Sequence, residues 1–251
     1  TGPIALDPDA AESPWEEQVH DAVLWRENGL LMFHYDAFYF DGNQHIDKAL
    51  AVSRDGRHYW RVLRGKPNMP HGACGEWDSG RVRTCPPFRC GDELRLYFCG
   101  MPAGGFSDPD KAAATEADAA PPSPDHQKLF GQLRPWRLGM ARLRVDGWAF
   151  LRLDRDADAG QFTTIPFDYD GGALVVNGSG LQPGAVAVEI LNAETGAPVP
   201  GFEASRCVFS HSDSVSSRAA WTGAPPLPTG RYRLRVHLSS HKARLYSLGF
   251  D

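Results

Sequence analysis

The sequence predicts an all-β protein, and three observations support this fold class. Its 251 residues include 26 glycines and 20 prolines, which is typical of a chain with many turns between short strands. Several segments alternate apolar and polar residues, and turn pairs such as Asn28-Gly29 and Asp55-Gly56 separate them. A hydrophobic content of 42% is near the globular norm, so the chain can form a core.

After a Pro-rich and acidic lead-in at residues 1–14, the first part of the chain predicts a four-stranded antiparallel meander. Short turn sequences centred on Asn28, Gly42 and Gly56 separate its strands. The predicted strands are Gln18–Trp25, Leu30–Phe40, Ile46–Ser53 and Tyr59–Leu63.

The same pattern then recurs, with a long insertion. Residues 102–134, rich in Ala, Pro, Gly and Asp, predict a loop of the length that functional lids have. Repeated four-stranded meanders are typical of β-propeller blades, and two blades cannot close a ring. We therefore expect residues 1–157 to form about two blades of a partial five-bladed propeller, and about three more blades to lie upstream in a longer protein. The strands predicted for the second blade are Asp78–Pro86, Leu94–Cys99, Trp136–Val145 and Ala149–Leu153.

Residues 158–251 predict a C-terminal β-sandwich, because short strands follow one another at intervals of roughly ten residues. The alternation is clearest in Arg231–Leu238, where apolar residues predict a buried face and basic residues a solvated one. In Ala185–Asn192, we expect Val186, Val188 and Ile190 to face the core and Glu189 to face away. The remaining predicted strands are Gln161–Phe167, Ala173–Asn177, Ser214–Trp221 and Ala243–Phe250.

Charge and hydropathy exclude some classes of function. The net charge is −5 and the pI is about 6.0, which argues against a nucleic-acid partner. The sequence has no run of about 18 apolar residues, so we expect no membrane span. Residues 1–20 show no signal peptide, and a secreted or periplasmic location stays open.

The cysteine count is five, which is odd, and the chain contains no C-x-x-C pair. One interpretation is a zinc site at His71, Cys74, Cys85 and Cys90, although the spacing matches no standard ligand pattern. A second interpretation is a hairpin disulfide between Cys85 and Cys90. Ordinary buried or loop thiols are the interpretation that we favour.

The stretch from Gly75 to Thr84 carries the candidate chemistry. Glu76 and Asp78 flank Trp77, and alternate residues of a strand point the same way. Two such carboxylates can act as general acid and as base or nucleophile on a glycosidic bond. In the alternative interpretation, Asp78 belongs to a solvated turn and Trp77 packs in the core.

Other polar residues are weaker candidates, and each also has a purely structural interpretation. Asp21, at the start of a strand, is a third candidate catalytic acid. His34 and Asp36 share a strand face, while Asp47 lies at a strand entry beside His45. His211, Asp213 and Ser214 match a nucleophile triad in composition only, and their order favours a loop. The substrate-binding candidates are Trp77, His71, His34, Asp36, Asp47 and Arg81.

The segment Ser53–Trp60 resembles the S-x-D-G-x-x-W turn of five-bladed propeller glycoside hydrolases, with one extra residue before Trp60. With Gly75–Gly80 and the predicted sandwich, the chain looks like the C-terminal part of a protein in the invertase, levansucrase and arabinanase superfamily. The resemblance implies that the first strand of each blade lines a central funnel. Asp21 would start one such strand, and Glu76 and Asp78 the next. The family's acids usually lie in its first three blades, so the resemblance also implies that the main nucleophile lies upstream.

We therefore predict a glycoside hydrolase-like protein that acts on a glycan through paired carboxylates. It needs no cofactor, and a structural calcium ion in the funnel is left open, as is the oligomeric state. The alternative is a non-catalytic carbohydrate-binding or structural β-protein. Convergence of Glu76, Asp78 and Asp21 would favour the enzyme, and diverging exposed side chains would favour the alternative.

Overall fold

The computed structural model describes residues 5–6, 18–38, 46–63, 66–73, 76–101 and 136–251. The chain divides into two compact units, Thr1–Leu143 and Arg144–Asp251. The boundary between residues 157 and 158 that the sequence predicts stays a prediction. The predicted loop at 102–134 and most of the lead-in at 1–14 lie outside the described residues. In the part of the chain that is described, no helix is long and apolar enough to cross a membrane.

The described part of the first unit forms a nine-stranded sheet that begins with the predicted meander. Strands β2 to β5 pair with their neighbours in chain order, all antiparallel. The turn between β2 and β3 places Asn28 and Gly29 in the left-handed region, at φ 47° and 78°, as a tight hairpin turn requires. Strand β1 pairs in parallel with β5, so this part of the lead-in is a strand. The strands are β1 (Ala5–Leu6), β2 (Gln18–Glu27), β3 (Leu30–Phe38), β4 (Ile46–Ser53) and β5 (His58–Arg61).

The second meander differs from the prediction at both ends. Strands β6 and β7 both pair with β8, and β9 pairs with β8 from its other side. The predicted fourth strand at Ala149–Leu153 is wrong: Leu151 makes only an isolated bridge, to Leu245. A parallel pair between Ile46 and Arg81 joins the two meanders in one sheet. The strands are β6 (Arg81–Thr84), β7 (Phe88–Cys90), β8 (Glu93–Met101) and β9 (Arg137–Arg144).

Strands β3 and β4 are buried on both faces, and the faces differ in chemistry. One face carries an apolar cluster of buried residues. The opposite face carries both apolar and buried polar residues. Residues of β3 that are two apart in the sequence lie on the same face of the strand. The apolar cluster consists of Phe33, Tyr35, Ala37, Ala49, Ala51 and Tyr59, and the buried polar residues of the other face are His34, Asp36 and Lys48.

The second unit is a β-sandwich, as the sequence predicts. Strand β16 pairs with β10, β11 and β13 in one sheet, and β12 pairs with β15 and β17 in the other, where β14 extends β15. Alternate residues of both sheets enter one common core, including Val176, Val188, Leu234, Val236 and Leu245. The strands are β10 (Gly160–Thr163), β11 (Phe167–Tyr169), β12 (Leu174–Ser179), β13 (Val186–Asn192), β14 (Cys207–Phe209), β15 (Asp213–Trp221), β16 (Gly230–Leu238) and β17 (Arg244–Phe250).

The predicted faces of β13 and β16 are confirmed, with one change. Glu189 does point away from Val188 and the core, yet it is 7% exposed. Its Oε1 accepts hydrogen bonds from Arg235 Nη1 and His237 Nε2, both at 3.0 Å. A buried carboxylate needs such partners. Two of the residues on the polar face of β16, Arg235 and His237, therefore bind Glu189 and are not only solvated.

The four described cysteines, Cys85, Cys90, Cys99 and Cys207, are free thiols. The backbone N–H of Cys85 donates to Tyr97 O, while Cys90 pairs with Glu93 on the same strand β8. Partners four residues apart on a strand are separated by about 13 Å, far more than a disulfide spans. The hairpin disulfide is therefore wrong.

Candidate functional site

The carboxylates of Glu76 and Asp78 both lie close to Gly72, and this pair is the centre of the candidate site. A methyl group added at Gly72 would lie 2.1 Å from Asp78 Oδ1 and 2.6 Å from Glu76 Oε2. The two carboxylate oxygens are therefore no farther apart than the sum of these distances. Glu76 is exposed and Asp78 half-buried, so both remain near solvent. The two acids that the sequence singles out as a pair therefore lie close together, and their catalytic role stays a prediction.

Hydrogen bonds between residues 72–73 and 76–78, and not the predicted strand, hold the two acids together. Strand β6 begins at Arg81, whereas the sequence predicts a strand from Asp78. The backbone N–H of Glu76 donates to Ala73 O at 2.9 Å, and Gly72 N–H donates to Asp78 O at 3.2 Å. Glu76 Oε2 also accepts a hydrogen bond from Ala73 N at 2.9 Å, which holds the carboxylate over the turn. A strand would place the two carboxylates on the same face, whereas these hydrogen bonds bring both of them next to Gly72.

Trp77 packs over glycines and an aromatic ring. A methyl group on Gly100 would lie 2.5 Å from Trp77 Cζ3, and one on Gly139 would lie 2.9 Å from Trp77 Cη2. The ring also stacks on Phe98 with centroids 5.3 Å apart. These contacts match the packing interpretation of Trp77, and its stacking on a sugar stays a prediction.

Asp47 and His71 form a second polar pair next to Gly72. Asp47 Oδ1 accepts hydrogen bonds from the His71 backbone N at 2.7 Å and from His71 Nδ1 at 2.5 Å. The Asp47 side chain is 7% exposed and that of His71 is 29% exposed. Because a carboxylate only accepts, Nδ1 is the protonated nitrogen of this imidazole. Residues 71–73 and 76–78 thus place an oriented imidazole and two carboxylates near one glycine, Gly72.

Asp36 is buried within the sheet and bound by cations. Lys48 Nζ donates to Asp36 Oδ1 at 2.5 Å, with both side chains almost completely buried. Arg83 Nε lies 3.8 Å from Asp36 Oδ2, an oxygen without a hydrogen-bond partner among the described residues. Burial lowers the pKa of Arg81, and the charge of Arg83 lowers it further, while Asp36 opposes the shift. Asp36 therefore holds basic side chains of two neighbouring strands in place.

His34 is a neutral histidine in the same polar face. Its Nε2 donates to Asn68 Oδ1 at 3.1 Å, so Nδ1 accepts the hydroxyl proton of Thr84 at 3.0 Å. Burial, together with the charge of Lys48, lowers the pKa of His34 to about 3. His34 and Asp36 share one face, as the sequence predicts. Because both are buried, a role in substrate binding stays a prediction.

Asp21, the third predicted catalytic acid, lies in strand β2. It is exposed within an irregularity of β2, between Val19 and Ala22, and its Oδ1 accepts a hydrogen bond from Ala22 N. The catalytic role of Asp21 stays a prediction.

Other candidate centres receive less support. The described residues contain no group of three or more His, Cys, Asp or Glu side chains that could hold a metal ion. Cys74, one ligand of the zinc interpretation, lies outside them. In the sandwich, Asp213 pairs with Arg144 and Ser214 Oγ accepts from Ser216 N. Asp213 and Ser214 begin strand β15, so the loop that the sequence predicts for them is wrong, and His211 Nδ1 is hydrogen-bonded to Ser210 Oγ.

Sequence reasoning missed several members of this region. Lys48, Asn68, Thr84 and Gly72 received no role, although they bind or shape the predicted residues. One signal was present: Asp36 and Lys48 are equally distant along the chain from Gly42, the centre of the predicted turn. An antiparallel hairpin centred there pairs these two residues, and this is the observed register.

The comparisons with known proteins give weak similarities. No protein-family model matches the chain, and no curated protein matches it. Among solved structures, it is similar to a glycosyl hydrolase from Bacteroides ovatus, with 18% identity and a TM-score of 0.29, over 35% of this chain and 27% of that one. It is also similar to a glycoside hydrolase family 43 arabinoxylan arabinofuranohydrolase from Bacillus subtilis in complex with cellotetraose. That match has 12% identity and a TM-score of 0.28, over 92% of this chain and 53% of that one.

These solved structures are glycoside hydrolases, and the chain spans between about a quarter and about half of their length. Their TM-scores are far below 0.5, so the similarities carry no argument about activity. The case for a function depends on the residues of the site.

Proposed function

We propose that this chain belongs to a glycoside hydrolase and that Glu76 and Asp78 take part in cleaving a glycosidic bond. The observation that carries the proposal is the approach of their carboxylate oxygens over Gly72. One carboxylic acid protonates the leaving oxygen, and the other carboxylate acts as nucleophile or base at the sugar carbon. Water supplies the hydroxyl group that replaces the leaving group, so no cofactor is required.

The spacing of the two acids favours one stereochemical course. Inverting enzymes separate their carboxyl groups by about 6.5–9.5 Å to hold a water between them, whereas retaining enzymes use about 5–5.5 Å. The closest oxygens of Glu76 and Asp78 are nearer than the inverting range. We therefore propose retention of anomeric configuration.

The experiment is a hydrolysis assay on a glycan panel that includes cellotetraose and arabinoxylan oligosaccharides. It compares the wild-type chain with the double variant Glu76→Gln/Asp78→Asn. Glu194→Gln is the matched control, because Glu194 is an exposed carboxylate in a turn of the sandwich. We expect hydrolysis by the wild type and the control, a retained anomer in the first product, and no hydrolysis by the double variant. Equal hydrolysis by the double variant contradicts the proposal.

A non-catalytic carbohydrate-binding protein is the second candidate. The hydrogen bond from Ala73 N to Glu76 Oε2 favours it, since it gives this carboxylate a structural task. This candidate predicts that the wild type binds oligosaccharides of the panel without cleaving them.

A further inference from the structure

Strands β7, β8 and β9 share an exposed apolar face, which we call the ring face. Arg142 of β9 pairs with Glu93 of β8 at 3.6 Å, which places the even-numbered residues along β9 on the face of Glu93. Phe88 of β7 lies on this face as well, because it pairs with Arg95, two residues from Glu93. The large apolar side chains of the ring face are between 41% and 70% exposed; they are Phe88, Tyr97, Trp136, Leu138 and Met140. Exposed apolar patches of this kind mark binding surfaces.

The opposite face of the same strands packs against the segment of the candidate site. A methyl group added at Gly139 would lie 2.5 Å from Phe98 Cζ and 2.9 Å from Trp77 Cη2. One added at Gly100 would lie 2.4 Å from Asp78 Cβ. Trp77 and Asp78 therefore lie on the other side of these strands, and the sheet itself separates the ring face from the proposed catalytic acids.

The rings of the ring face leave apolar surface open to a flat ligand. Phe88 and Tyr97 are nearly parallel, with an interplanar angle of 27° and ring centroids 5.9 Å apart. This separation is that of an offset pair, so part of each ring remains uncovered. The negative face of an aromatic ring attracts the C–H groups that a sugar presents on its flat side.

Arg83 adds a guanidinium group to this apolar surface. Its Cζ lies 5.8 Å from the centroid of the Trp136 ring, which is a cation–π distance. Its Nε lies 3.8 Å from Asp36 Oδ2, but Lys48 already pairs with the Asp36 carboxylate. The Arg83 side chain is 47% exposed, so its N–H groups can reach a ligand on the ring face.

The charges of the ring face favour an anion. Within the described residues, strands β6 to β9 contain one carboxylate, Glu93. Arg95 Nη2 and Arg142 Nη1 both lie near this carboxylate, at 3.2 Å and 3.6 Å. One negative charge thus serves two guanidinium groups, and Arg83 adds a third positive charge. Guanidinium groups bind carboxylates through two parallel hydrogen bonds.

We propose that the ring face binds an acidic polysaccharide whose sugars carry carboxylates, at a site separate from the two candidate acids. The aromatic rings take the apolar side of a sugar, and the guanidinium groups take its carboxylate. A neutral glycan would leave the positive charges unmatched, and an acidic peptide would leave the rings without a flat partner. The inference goes beyond the proposed function, because binding at this face requires no cleavage.

The first test measures Kd by isothermal titration calorimetry with three probes. Tetragalacturonate carries both sugar rings and carboxylates, cellotetraose is a neutral sugar of the same length, and polyglutamate supplies carboxylates without sugar. We expect tetragalacturonate to bind about tenfold more tightly than polyglutamate, with a Kd that rises with salt because charges contribute. Absence of tetragalacturonate binding, or equal binding of polyglutamate, overturns the proposal.

Variants of the ring face assign the binding to it. Trp136→Ala and Tyr97→Ala each remove an exposed ring, and we expect each to raise the Kd for tetragalacturonate about three- to tenfold. Arg142→Gln should raise that Kd about tenfold and leave the Kd for cellotetraose unchanged. Ile165→Ala is the matched control, because Ile165 is an exposed apolar residue of the sandwich. The thermal unfolding midpoint should stay constant throughout, and an unchanged Kd in both ring variants overturns the proposal.

The outcomes separate this inference from the proposed function. The double variant Glu76→Gln/Asp78→Asn should keep the wild-type Kd for tetragalacturonate, whatever happens to hydrolysis. Loss of binding in that variant, with unchanged binding in the ring variants, overturns the inference and leaves the enzyme standing. A second copy of the chain is the alternative occupant of the ring face. A dimer in sedimentation velocity that Trp136→Ala dissociates, and that tetragalacturonate does not, overturns the inference in favour of self-association.

Discussion

Lys48 Nζ contacts Asp36 Oδ1 at 2.5 Å, and both side chains are buried between strands β3 and β4. The two residues face each other directly in the register of the hairpin. Charged side chains are seldom buried unless they are paired. Each of these two residues therefore needs the other in order to remain buried on this face of the sheet. The basic residues of β6 and the neutral His34 are arranged around the pair.

We expect Lys48→Met to destabilise the protein strongly, because it leaves the Asp36 carboxylate buried without its main cation. Breaking a buried pair by removing one partner costs about 3–5 kcal/mol. Denaturant unfolding measures the loss. The double variant Lys48→Met/Asp36→Leu should recover most of the stability, and a double variant as unstable as the single one would show that the unpaired charge is not the cause.

His34 makes stability depend on pH in a defined direction. Its folded pKa of about 3 lies below the ordinary histidine pKa of 6.5, so between these two pH values the unfolded chain binds a proton that the folded chain does not. Its contribution to the free energy of unfolding is complete above pH 6.5 and is lost as the pH falls toward 3. Each unit of this interval corresponds to at most about 1.4 kcal/mol. His34→Gln should flatten this part of the curve, and parallel curves for variant and wild type refute the assignment.

Gly72→Ala tests the meeting point of the two acids. The added methyl group would lie 2.1 Å from Asp78 Oδ1, so the carboxylates must separate. Gly72 has no positive φ, and the effect is therefore steric. We expect hydrolysis to fall by about a hundredfold, the effect of a displacement of about 1 Å in a reacting group. Gly249→Ala is the control, since nothing lies within 4 Å of its added carbon, and an equal loss in both variants would contradict the steric explanation.

Asp55 holds the turn of the S-x-D-G motif. Its Oδ1 accepts hydrogen bonds from the backbone N of Arg57 and His58 and from Ser53 Oγ. The bond from His58 N is the largest cause that lowers the pKa of Asp55. The stability that the ionised Asp55 adds to the folded protein is therefore present above its unfolded pKa of 3.8 and declines as the pH falls below that pKa. We expect Asp55→Ala to lower the thermal unfolding midpoint at pH 7, with a difference that narrows in acid. A constant difference across this range would contradict the ionised carboxylate as the cause.

The sequence predicts those parts of the fold that depend on local alternation and turn chemistry. Strand β16 is an example, because Tyr232, Leu234, Val236 and Leu238 alternate with basic residues and all four are buried. Recurrence of the meander predicted a fourth strand at Ala149–Leu153, and this prediction failed because the backbone partner there is a single residue, Leu245. A local sequence pattern does not show which distant segment a strand pairs with.

The candidate site was predictable in its residue types and less so in its geometry. The spacing of Glu76 and Asp78 made them the candidate pair, yet their proximity depends on hydrogen bonds to Gly72 and Ala73 that the spacing does not predict. Lys48 lies in a strand, where a lysine usually reaches solvent, so its burial with Asp36 was not expected. Non-local contacts of this kind require the register of whole strands.

The most direct test of the proposed role of Asp78 is the kcat/KM for glycan hydrolysis of the single variant Asp78→Asn, measured against the wild type. The variant keeps the size of the side chain and removes its charge. We expect a loss of about 10²–10⁴-fold with the fold unchanged, as is typical when an acid–base group is removed. A variant that hydrolyses the glycan at the wild-type rate would contradict it.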